Sequence, residues 1–255
     1  MTRRGESAGS NPSLDVLAFG AHPDDVELTC GGTVIKLVRR GYRVGVAALS
    51  GGELGTRGDL RTREMEFESS SRHMGLAFHR ILGLPDGGLG ASPDQKRKVA
   101  EVIREARPKI VFAPYWEDRH PDHSNSSPLV WEAAFLAGLR RFDAEGEAWR
   151  PYRVLFYPSR FEFKPSFVVD VSDTHEAKME AVRLYRSQFS GTEGNPDAPE
   201  TNISRPEFLD AVITRARQYG SYIGTEFGEP FLVREPLRLD DPVAFFGPEC
   251  LNSFV

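Results

Sequence analysis

Two short clusters of histidine and acidic residues hold most of the reactive chemistry in this sequence. The first is AHPDDVE, residues 21–27, and the second is EDRHPDH, residues 117–123. Both contain His-Pro-Asp followed by a further potential ligand, and together they hold three of the six histidines of the chain. A catalytic zinc ion usually takes three imidazole or carboxylate ligands from the protein and keeps a fourth position for water. The clusters therefore predict a Zn²⁺ site, for which another divalent metal such as Fe²⁺ is the alternative.

The two clusters together offer a set of three ligands: His22, Asp25 and His123. Three further polar side chains would then lie beside the metal: Asp24, His120 and Asp122. A carboxylate in that position can act as a general base toward a metal-bound water, and a histidine can donate to the developing oxyanion or to the leaving group. His-Pro-Asp by itself is also typical of an ordinary turn, so two unrelated turns are the alternative interpretation.

The elements that would position these clusters alternate strands with helices, a pattern typical of βα units around a parallel sheet. We predict four early strands: Leu14–Gly20, Arg43–Leu49, His79–Leu82 and Lys109–Ala113. The helices between them are Gly31–Arg40, Arg61–Met74 and one that opens with a capping box at Ser92–Gln95 and ends before Pro108. The clusters follow the first and fourth strands, and ligands of open α/β sheets bind beyond the carboxyl ends of the strands.

The sequence of the second half of the chain predicts further helices and strands. These are a helix from about Ser124 to Arg141, strands Arg153–Tyr157 and Phe167–Val171, a helix from Thr174 to Phe189, and a helix from a capping box at Ser204–Glu207 to Tyr219. The polar stretch Ser190–Thr201 is expected to be an exposed loop, either inert or a lid over the site. We expect a disordered tail over residues 1–12 and one α/β domain over 13–255, whose segment from about 221 wraps the domain or forms an interface.

Composition excludes several classes of protein. The chain has 255 residues with 32 Lys and Arg against 37 Asp and Glu, a net charge of −5, which argues against non-specific binding to nucleic acid. No apolar run approaches the roughly 18–20 residues of a membrane span, and residues 1–12 lack the apolar core of a signal peptide. Its two cysteines form no Cys-x-x-Cys pair, which fits a reducing compartment. We therefore expect a cytoplasmic protein with no nucleic-acid or membrane partner.

The motifs resemble those of a known family. AHPDDVE, the GGT at residues 31–33 and RHPDH at residues 119–123 are similar to the PIG-L/LmbE-like zinc-dependent N-acetylglucosamine deacetylases. Further segments resemble the bacillithiol-biosynthesis branch, the N-acetylglucosaminyl-malate deacetylases: LPD at 84–86, FAPY at 112–115, SQF at 187–189 and GEPF at 228–231. The resemblance covers about residues 14–231 and implies a Rossmann-like α/β fold with a mostly parallel sheet flanked by helices.

The resemblance also implies roles for individual residues. The zinc ligands would be His22, Asp25 and His123, with Asp24 as the general base. His120 would be the electrostatic partner and general acid, oriented or tuned by Asp122. Two arginines, Arg63 and Arg119, would hold the substrate or the oxyanion. Some members have a tyrosine two residues before the first histidine of HPDH, whereas this chain has Asp118 there.

A glycine-rich loop, residues 50–58, follows the second strand and carries Arg57. Arg57 and Arg63 are candidates for binding a carboxylated aglycone such as malate, because arginine pairs bidentately with carboxylates. A solvated surface arginine is the alternative at each position. The other histidines are interpreted as a helix C-terminal partner (His73) and as surface residues (His79 and His175), and Cys30 as a small packing residue.

The predicted activity is hydrolysis of an acetamide on a small amino-sugar substrate, most simply N-acetylglucosaminyl-malate. Two alternatives stay open: the same chemistry on another N-acetylglucosaminide or a thiol S-conjugate, and a catalytically silent sugar- or metal-binding protein on the same fold. By analogy with the branch we also expect a homo-oligomer, commonly a hexamer.

Overall fold

Seven strands form one sheet, in the order β3-β2-β1-β4-β5-β7-β6. The computed structural model describes residues 13–189 and 199–246. Neighbours among β1 to β5 pair in parallel, whereas β7 pairs antiparallel with both β5 and β6. The predicted mostly parallel α/β sheet is therefore confirmed. The strands are Val16–Gly20 (β1), Val44–Ser50 (β2), Phe78–Leu84 (β3), Ile110–Pro114 (β4), Arg153–Tyr157 (β5), Phe167–Asp170 (β6) and Gly228–Val233 (β7).

Helices cover both faces of the sheet. One apolar cluster packs α3 and α4 against one face, and the other packs α1, α2 and α5 against the opposite face. The central strands β1 and β2 are buried along their whole length, which explains their continuous apolar sequences VLAFG and VGVAALS. The helices are Asp25–Arg39 (α1), Leu60–His73 (α2), Pro93–Ala106 (α3), Pro121–Ala137 (α4), His175–Arg183 (α5), Arg186–Phe189 (α6), Pro206–Ser221 (α7) and Pro242–Phe245 (α8).

Two helices begin earlier than predicted, and the difference changes where the site residues lie. We expected α1 from Gly31 and α4 from Ser124, but they begin at Asp25 and Pro121. Asp25 and Glu27 in the first turn favour the start of α1, and Pro121 with Asp122 favours the start of α4. Both histidine–aspartate clusters therefore run into first helical turns, which hold their side chains more rigidly than free loops would.

Other local predictions were wrong in part. The helix expected over Thr174–Phe189 breaks after Arg183 and resumes as the short α6. At α3, Ser92 caps the helix as expected, but the Gln95 side chain binds the Gly88 and Gly90 backbone instead of closing the capping box. The second capping box joins Thr201 and Ser204 around a 3₁₀ turn, and α7 starts beyond it.

The segment after Ser221 contributes a strand to the sheet. Strand β7 inserts between β5 and β6, so this part of the chain belongs to the core of the fold and is more than a wrapping tail. The predicted tail 1–12, the loop residues 190–198 and the last residues 247–255 lie outside the described part of the chain. Within residues 13–189 and 199–246, every helix falls short of the length and hydrophobicity needed to cross a bilayer.

Candidate metal centre and active site

Adjacent parallel strands bring the two histidine–aspartate clusters together. Strand β1 pairs with β4 in register from Val16 opposite Ile110, and each strand runs on at the same sheet edge toward its cluster. The candidate ligand atoms of His22, Asp25 and His123 all lie within 4.8 Å of one another. The structure thus places together the three residues that the resemblance proposed as metal ligands, although they lie about a hundred residues apart in the chain.

The candidate ligand atoms are spaced closely enough to share one metal ion. Nδ1 of His22 lies 3.7 Å from Oδ2 of Asp25, and Nε2 of His123 lies 3.2 Å from Oδ1 of Asp25. Zinc bonds of about 2.0–2.2 Å to nitrogen and oxygen imply ligand-to-ligand edges of roughly 3.3–3.6 Å in a tetrahedron. The two measured separations lie close to this range, so the donor set can hold a divalent metal of this size.

Each candidate histidine ligand has a carboxylate partner at its other ring nitrogen. Nε2 of His22 lies 3.1 Å from Oδ1 of Asp86, and Nδ1 of His123 lies 3.2 Å from Oδ1 of Asp118. Such carboxylate–histidine pairs fix the tautomer and orientation of metal-bound imidazoles. Sequence reasoning had assigned no role to Asp86 or Asp118. Their positions after β3 and β4, at the same sheet edge as the clusters, were the signal that could have found them.

The carboxylates give this site a strong preference for positive charge. Burial lowers the pKa of both imidazoles, but Asp122 and Asp86 raise that of His22 to about 9, and Asp25 and Asp118 raise that of His123 to about 10. For Asp118, burial raises the pKa, but the hydrogen bonds from His123 and two backbone N–H groups hold it at about 2. A site that stabilises protons on both rings also favours a metal cation in their place.

Asp24 is held beside the metal ligands in a strained backbone conformation. It precedes α1 with φ of 99°, a left-handed value that aspartate adopts more readily than most residues. Burial raises the pKa of its carboxyl to about 7, opposed by the nearby Arg63 guanidinium. The structure thus presents a buried carboxylate, outside the ligand set, that can accept a proton near neutral pH.

Arg63 lies against Asp24 and is itself buried. Its Nη1 donates to the carbonyl of Gly52 at 2.6 Å, and its Nη2 lies 3.9 Å from Oδ2 of Asp24. These contacts are with protein groups, which makes Arg63 a partner of the candidate base. It also lines the cavity described below, so direct contact with substrate stays a prediction.

His120 and Asp122 are linked through the backbone. The N–H of Asp122 donates to Nδ1 of His120 at 3.2 Å, so the neutral ring carries its proton on Nε2. Burial and the neighbouring His123 and His22 lower the pKa of His120, which favours that neutral form. The Asp122 carboxylate instead accepts from the N–H groups of Gly87 and Leu89.

A second possible metal set shares His22 but uses His120 and Asp122. Both oxygens of Asp122 already accept backbone hydrogen bonds, and Nδ1 of His120 accepts another. We therefore favour the set with Asp25 and His123, whose facing donor atoms point at one another.

A cavity of about 510 Å³ opens beside these residues, and arginines line much of its wall. They include the predicted Arg57, Arg63 and Arg119, together with Arg160 and Arg215, which sequence analysis had missed. Burial lowers the pKa of Arg160 and the nearby charges of Arg119 and Arg215 lower it further, whereas Asp118 raises it, so the three guanidinium groups lie near one another. Arg57 is buried and donates from Nε to the carbonyl of Ser187 at 2.9 Å, which rules out a solvated surface arginine.

The remaining histidines and Cys30 lie away from this cavity. His73 is the last residue of α2, in line with its predicted place at a helix C-terminus. His79 is exposed and Cys30 is buried in the core, as predicted. The prediction for His175 was wrong: its ring is buried and stacks on Phe227 with 3.7 Å between centroids. Its two neighbours in sequence are polar, so only the contact with the distant Phe227 accounts for its burial.

Comparisons with known proteins agree with this geometry. The PIG-L family, described as GlcNAc-PI de-N-acetylase, matches residues 17–134. The crystal structure of the conserved protein TT1542 from Thermus thermophilus is 41% identical and superposes with a TM-score of 0.81, covering 90% of this chain and 98% of that chain.

Two chitobiose deacetylases are also similar. The diacetylchitobiose deacetylase of Thermococcus kodakarensis is 33% identical over 70% of this chain and 72% of its own length. The structure of N,N'-diacetylchitobiose deacetylase from Pyrococcus horikoshii, bound to an inhibitor, is 26% identical with a TM-score of 0.74, covering 91% of this chain and 85% of that one. This chain therefore belongs to the PIG-L/LmbE-like family of deacetylases, hydrolases that act on amide bonds.

Proposed function

We propose that the protein is a metal-dependent deacetylase that hydrolyses the acetamide of an amino sugar, with N-acetylglucosaminyl-malate as its substrate. The observation that carries the proposal is the His22–Asp25–His123 set, with Asp86 and Asp118 behind its histidines and the separate carboxylate of Asp24 beside it. Zn²⁺ is the proposed metal and Fe²⁺ the alternative, since imidazole and carboxylate suit both.

When bound, the metal would supply Lewis acidity toward the amide carbonyl and a water of lowered pKa. Asp24 takes the proton from the attacking water, because burial raises the pKa of its carboxyl to about 7. The other carboxylates beside the candidate ligands, Asp86, Asp118 and Asp122, have lowered pKa values and are held by histidine or backbone hydrogen bonds. Asp24 then delivers that proton to the departing amine, so that acetate and a free amino sugar leave.

His120 stabilises the developing oxyanion as a neutral donor. Because its Nδ1 accepts the Asp122 N–H, its Nε2–H is the group free to donate. This refines the general-acid role expected from the resemblance, since a second proton would break that backbone hydrogen bond. Asp122 orients the ring through its N–H, and Arg119 at the cavity wall is proposed to assist at the oxyanion or the substrate.

The arginine-lined wall supports an anionic aglycone. The charges of Arg119 and Arg215 lower the pKa of Arg160, so the three guanidinium groups repel one another. A bound anion there would relieve this repulsion. Arg57 lines the same cavity and is proposed to contact the aglycone. A neutral disaccharide would gain no ion pair with these arginines, which favours malate over a second sugar.

The test is acetate release from N-acetylglucosaminyl-malate, free N-acetylglucosamine and diacetylchitobiose, with and without a chelator. We expect chelator-sensitive release, with kcat/KM highest for the malate conjugate. The Arg160→Met variant should lower that preference about tenfold or more, the loss of a charged hydrogen bond, while Arg217→Met, on the same helix as Arg215 but outside the cavity lining, should not.

Each alternative has its own outcome in this assay. Preference for diacetylchitobiose would place the chain with its relatives that deacetylate this disaccharide and would contradict the anionic aglycone. Bound zinc without release from any of the three substrates would favour the silent binding protein.

The proposal also includes a cytoplasmic homo-oligomer, commonly a hexamer in this branch, built from single-domain chains. Exposed apolar side chains on α4 and near α8 support an interface, among them Phe135, Val243 and Phe246. Light scattering should give a mass several times that of one chain, and a monomer would contradict this part of the proposal.

A further inference from the structure

Helix α1 is broken just beyond the turn that carries the metal ligand. Cys30 has φ of −124° and ψ of 19°, outside helical values, so the helix consists of a first turn, Asp25–Thr29, and a second segment from Gly31. Asp25 is the first residue of that short turn. Its direction relative to the rest of the helix therefore fixes where the Asp25 carboxylate lies.

A buried ion pair binds the backbone on both sides of this break. The Glu229 carboxylate accepts from the N–H of Gly32 at 3.0 Å and from the N–H of Thr33 at 2.6 Å. Lys178 donates to the carbonyl of Thr29 at 3.2 Å and to Glu229 at 2.7 Å. Both charged side chains are only 2% exposed. Glu229 thus caps the second segment, while Lys178 satisfies the end of the first.

Gly32 is the residue that permits this approach. A methyl group there would lie 3.0 Å from Oε1 of Glu229 and 3.0 Å from Cβ of Val171, closer than ordinary packing allows. The GGT segment beside the first cluster therefore contacts the distant GEPF segment, through the hydrogen bonds from Gly32 and Thr33 to Glu229. Neither motif is used by the chemistry proposed above.

We infer that Glu229 and Lys178 are positioning residues, which hold the break in α1 open and so set the Asp25 carboxylate against His123 for metal binding. The inference rests on the proposed metal site. Without Glu229, the N–H groups of Gly32 and Thr33 have the i−4 carbonyls of Leu28 and Thr29 as their acceptors, as in any continuous helix. Closing the helix across Cys30 would turn the first residue, Asp25, away from its present direction.

Burying an ion pair in the core has a large desolvation cost. Replacing such a pair with apolar side chains of similar volume is often neutral or stabilising, whereas removing one member leaves an unpaired buried charge. Stability alone therefore does not explain the Lys178–Glu229 ion pair. Its hydrogen bonds to the backbone on both sides of the break in α1 do explain it.

The experiment compares Zn²⁺ affinity and stability in matched double variants. Lys178→Met with Glu229→Leu removes the pair together, so no buried charge is stranded. Lys36→Met with Asp173→Asn removes a 2.8 Å pair that ties the second segment of α1 to the residues just before α5. Metal-free proteins are titrated with Zn²⁺ against a chromophoric chelator, their Co²⁺ absorption spectra are recorded, and Tm is measured without metal.

We expect the Lys178/Glu229 variant to fold but to bind Zn²⁺ about 10–100-fold more weakly, the size of effect seen when groups that orient ligands are lost. Its Co²⁺ spectrum should change, while the Lys36/Asp173 variant keeps both affinity and spectrum. Gly32→Ala leaves all charges in place but crowds Glu229, and it should also weaken Zn²⁺ binding. This variant tests the inference if the double variant does not fold.

Unchanged Zn²⁺ affinity and Co²⁺ spectrum in the Lys178/Glu229 variant, or in Gly32→Ala if only that variant folds, would overturn the inference and leave the pair a purely structural feature. Wild-type protein that binds no Zn²⁺ would overturn the metal site itself and, with it, this role. The two failures are therefore distinguishable before any substrate is tested.

Discussion

Nδ1 of His123 lies 3.2 Å from Oδ1 of Asp118, while Nε2 on the other side of the ring faces Asp25. The same Asp118 carboxylate accepts from the N–H of His120 at 2.8 Å and of Arg160 at 2.7 Å. One side chain thus orients a candidate ligand and joins the loop after β4 to the loop after β5. Asp118, at the position of the family tyrosine noted above, therefore orients His123 and links two loops in this chain.

Asp118→Asn should weaken Zn²⁺ binding about 10–100-fold, because an amide holds the His123 ring and its tautomer less firmly than a carboxylate does. Chelator competition on metal-free protein measures the effect. The exposed neighbour Glu117→Gln is the control and should bind like wild type. Equal affinity in the Asp118 variant would remove this residue from the support of the metal site.

Asp24→Asn should retain metal but lower kcat about 10²–10⁴-fold, the usual contribution of a general base. Asparagine is the appropriate substitution because it also tolerates the left-handed backbone that Asp24 adopts. His123→Ala should lose both metal and turnover. Metal content by elemental analysis, measured beside kcat, separates the two; normal zinc in the His123 variant would contradict its assignment as a ligand.

Gly52→Ala should reduce kcat about 10–100-fold through misplacement of Arg63, since small displacements in an active site have effects of this size. Gly52 has φ of 71°, and a methyl group there would overlap Nη1 of Arg63. Gly41→Ala is a close control, because Gly41 has φ of 86° but nothing within 4 Å of an added methyl. Both variants bear a backbone cost of about 1–2 kcal/mol.

Thermal or denaturant unfolding measures how much stability each glycine variant loses, with the larger loss expected for Gly52→Ala because of its overlap with Arg63. Steady-state kinetics then compares the two variants at a temperature where both are folded. A fall in kcat shared equally by both variants would attribute the effect to backbone strain and leave Arg63 without a demonstrated role.

His175 should make the protein less stable in mild acid. Among the described residues neither ring nitrogen has a hydrogen-bond partner, and burial, reinforced by the charge of Lys178, lowers the pKa to about 4. An unfolded histidine titrates near 6.5, so between these values the unfolded state binds more protons. The free energy of unfolding is therefore highest, as far as His175 is concerned, above about pH 6.5, and it falls as the pH is lowered toward 4.

Urea unfolding at pH 7 and pH 5 measures this loss, and His175→Phe should make the loss smaller by removing the titrating group while keeping the stack on Phe227. His79→Gln, an exposed histidine, should leave the pH dependence as in wild type. An undiminished loss in the His175 variant would assign the acid sensitivity to other groups.

The sequence by itself indicated the parallel part of the sheet and the candidate metal ligands, but not strand β7. Continuous apolar runs marked the buried strands β1, β2 and β4, because a parallel strand covered on both faces needs no polar alternation. The candidate metal ligands His22 and His123 were predicted because each follows such a strand, where an open α/β sheet binds its ligands. These are local signals, legible within a few residues of the chain.

Only the tertiary structure decided which distant side chains support that chemistry. Asp86 lies 64 residues from His22, and Glu229 lies 197 residues from Gly32, so no local pattern pairs them. The same holds for the burial of His175 against Phe227. Hydrogen bonding and burial depend on which segments the fold brings into contact, whereas strand and helix signals depend on neighbours in the chain.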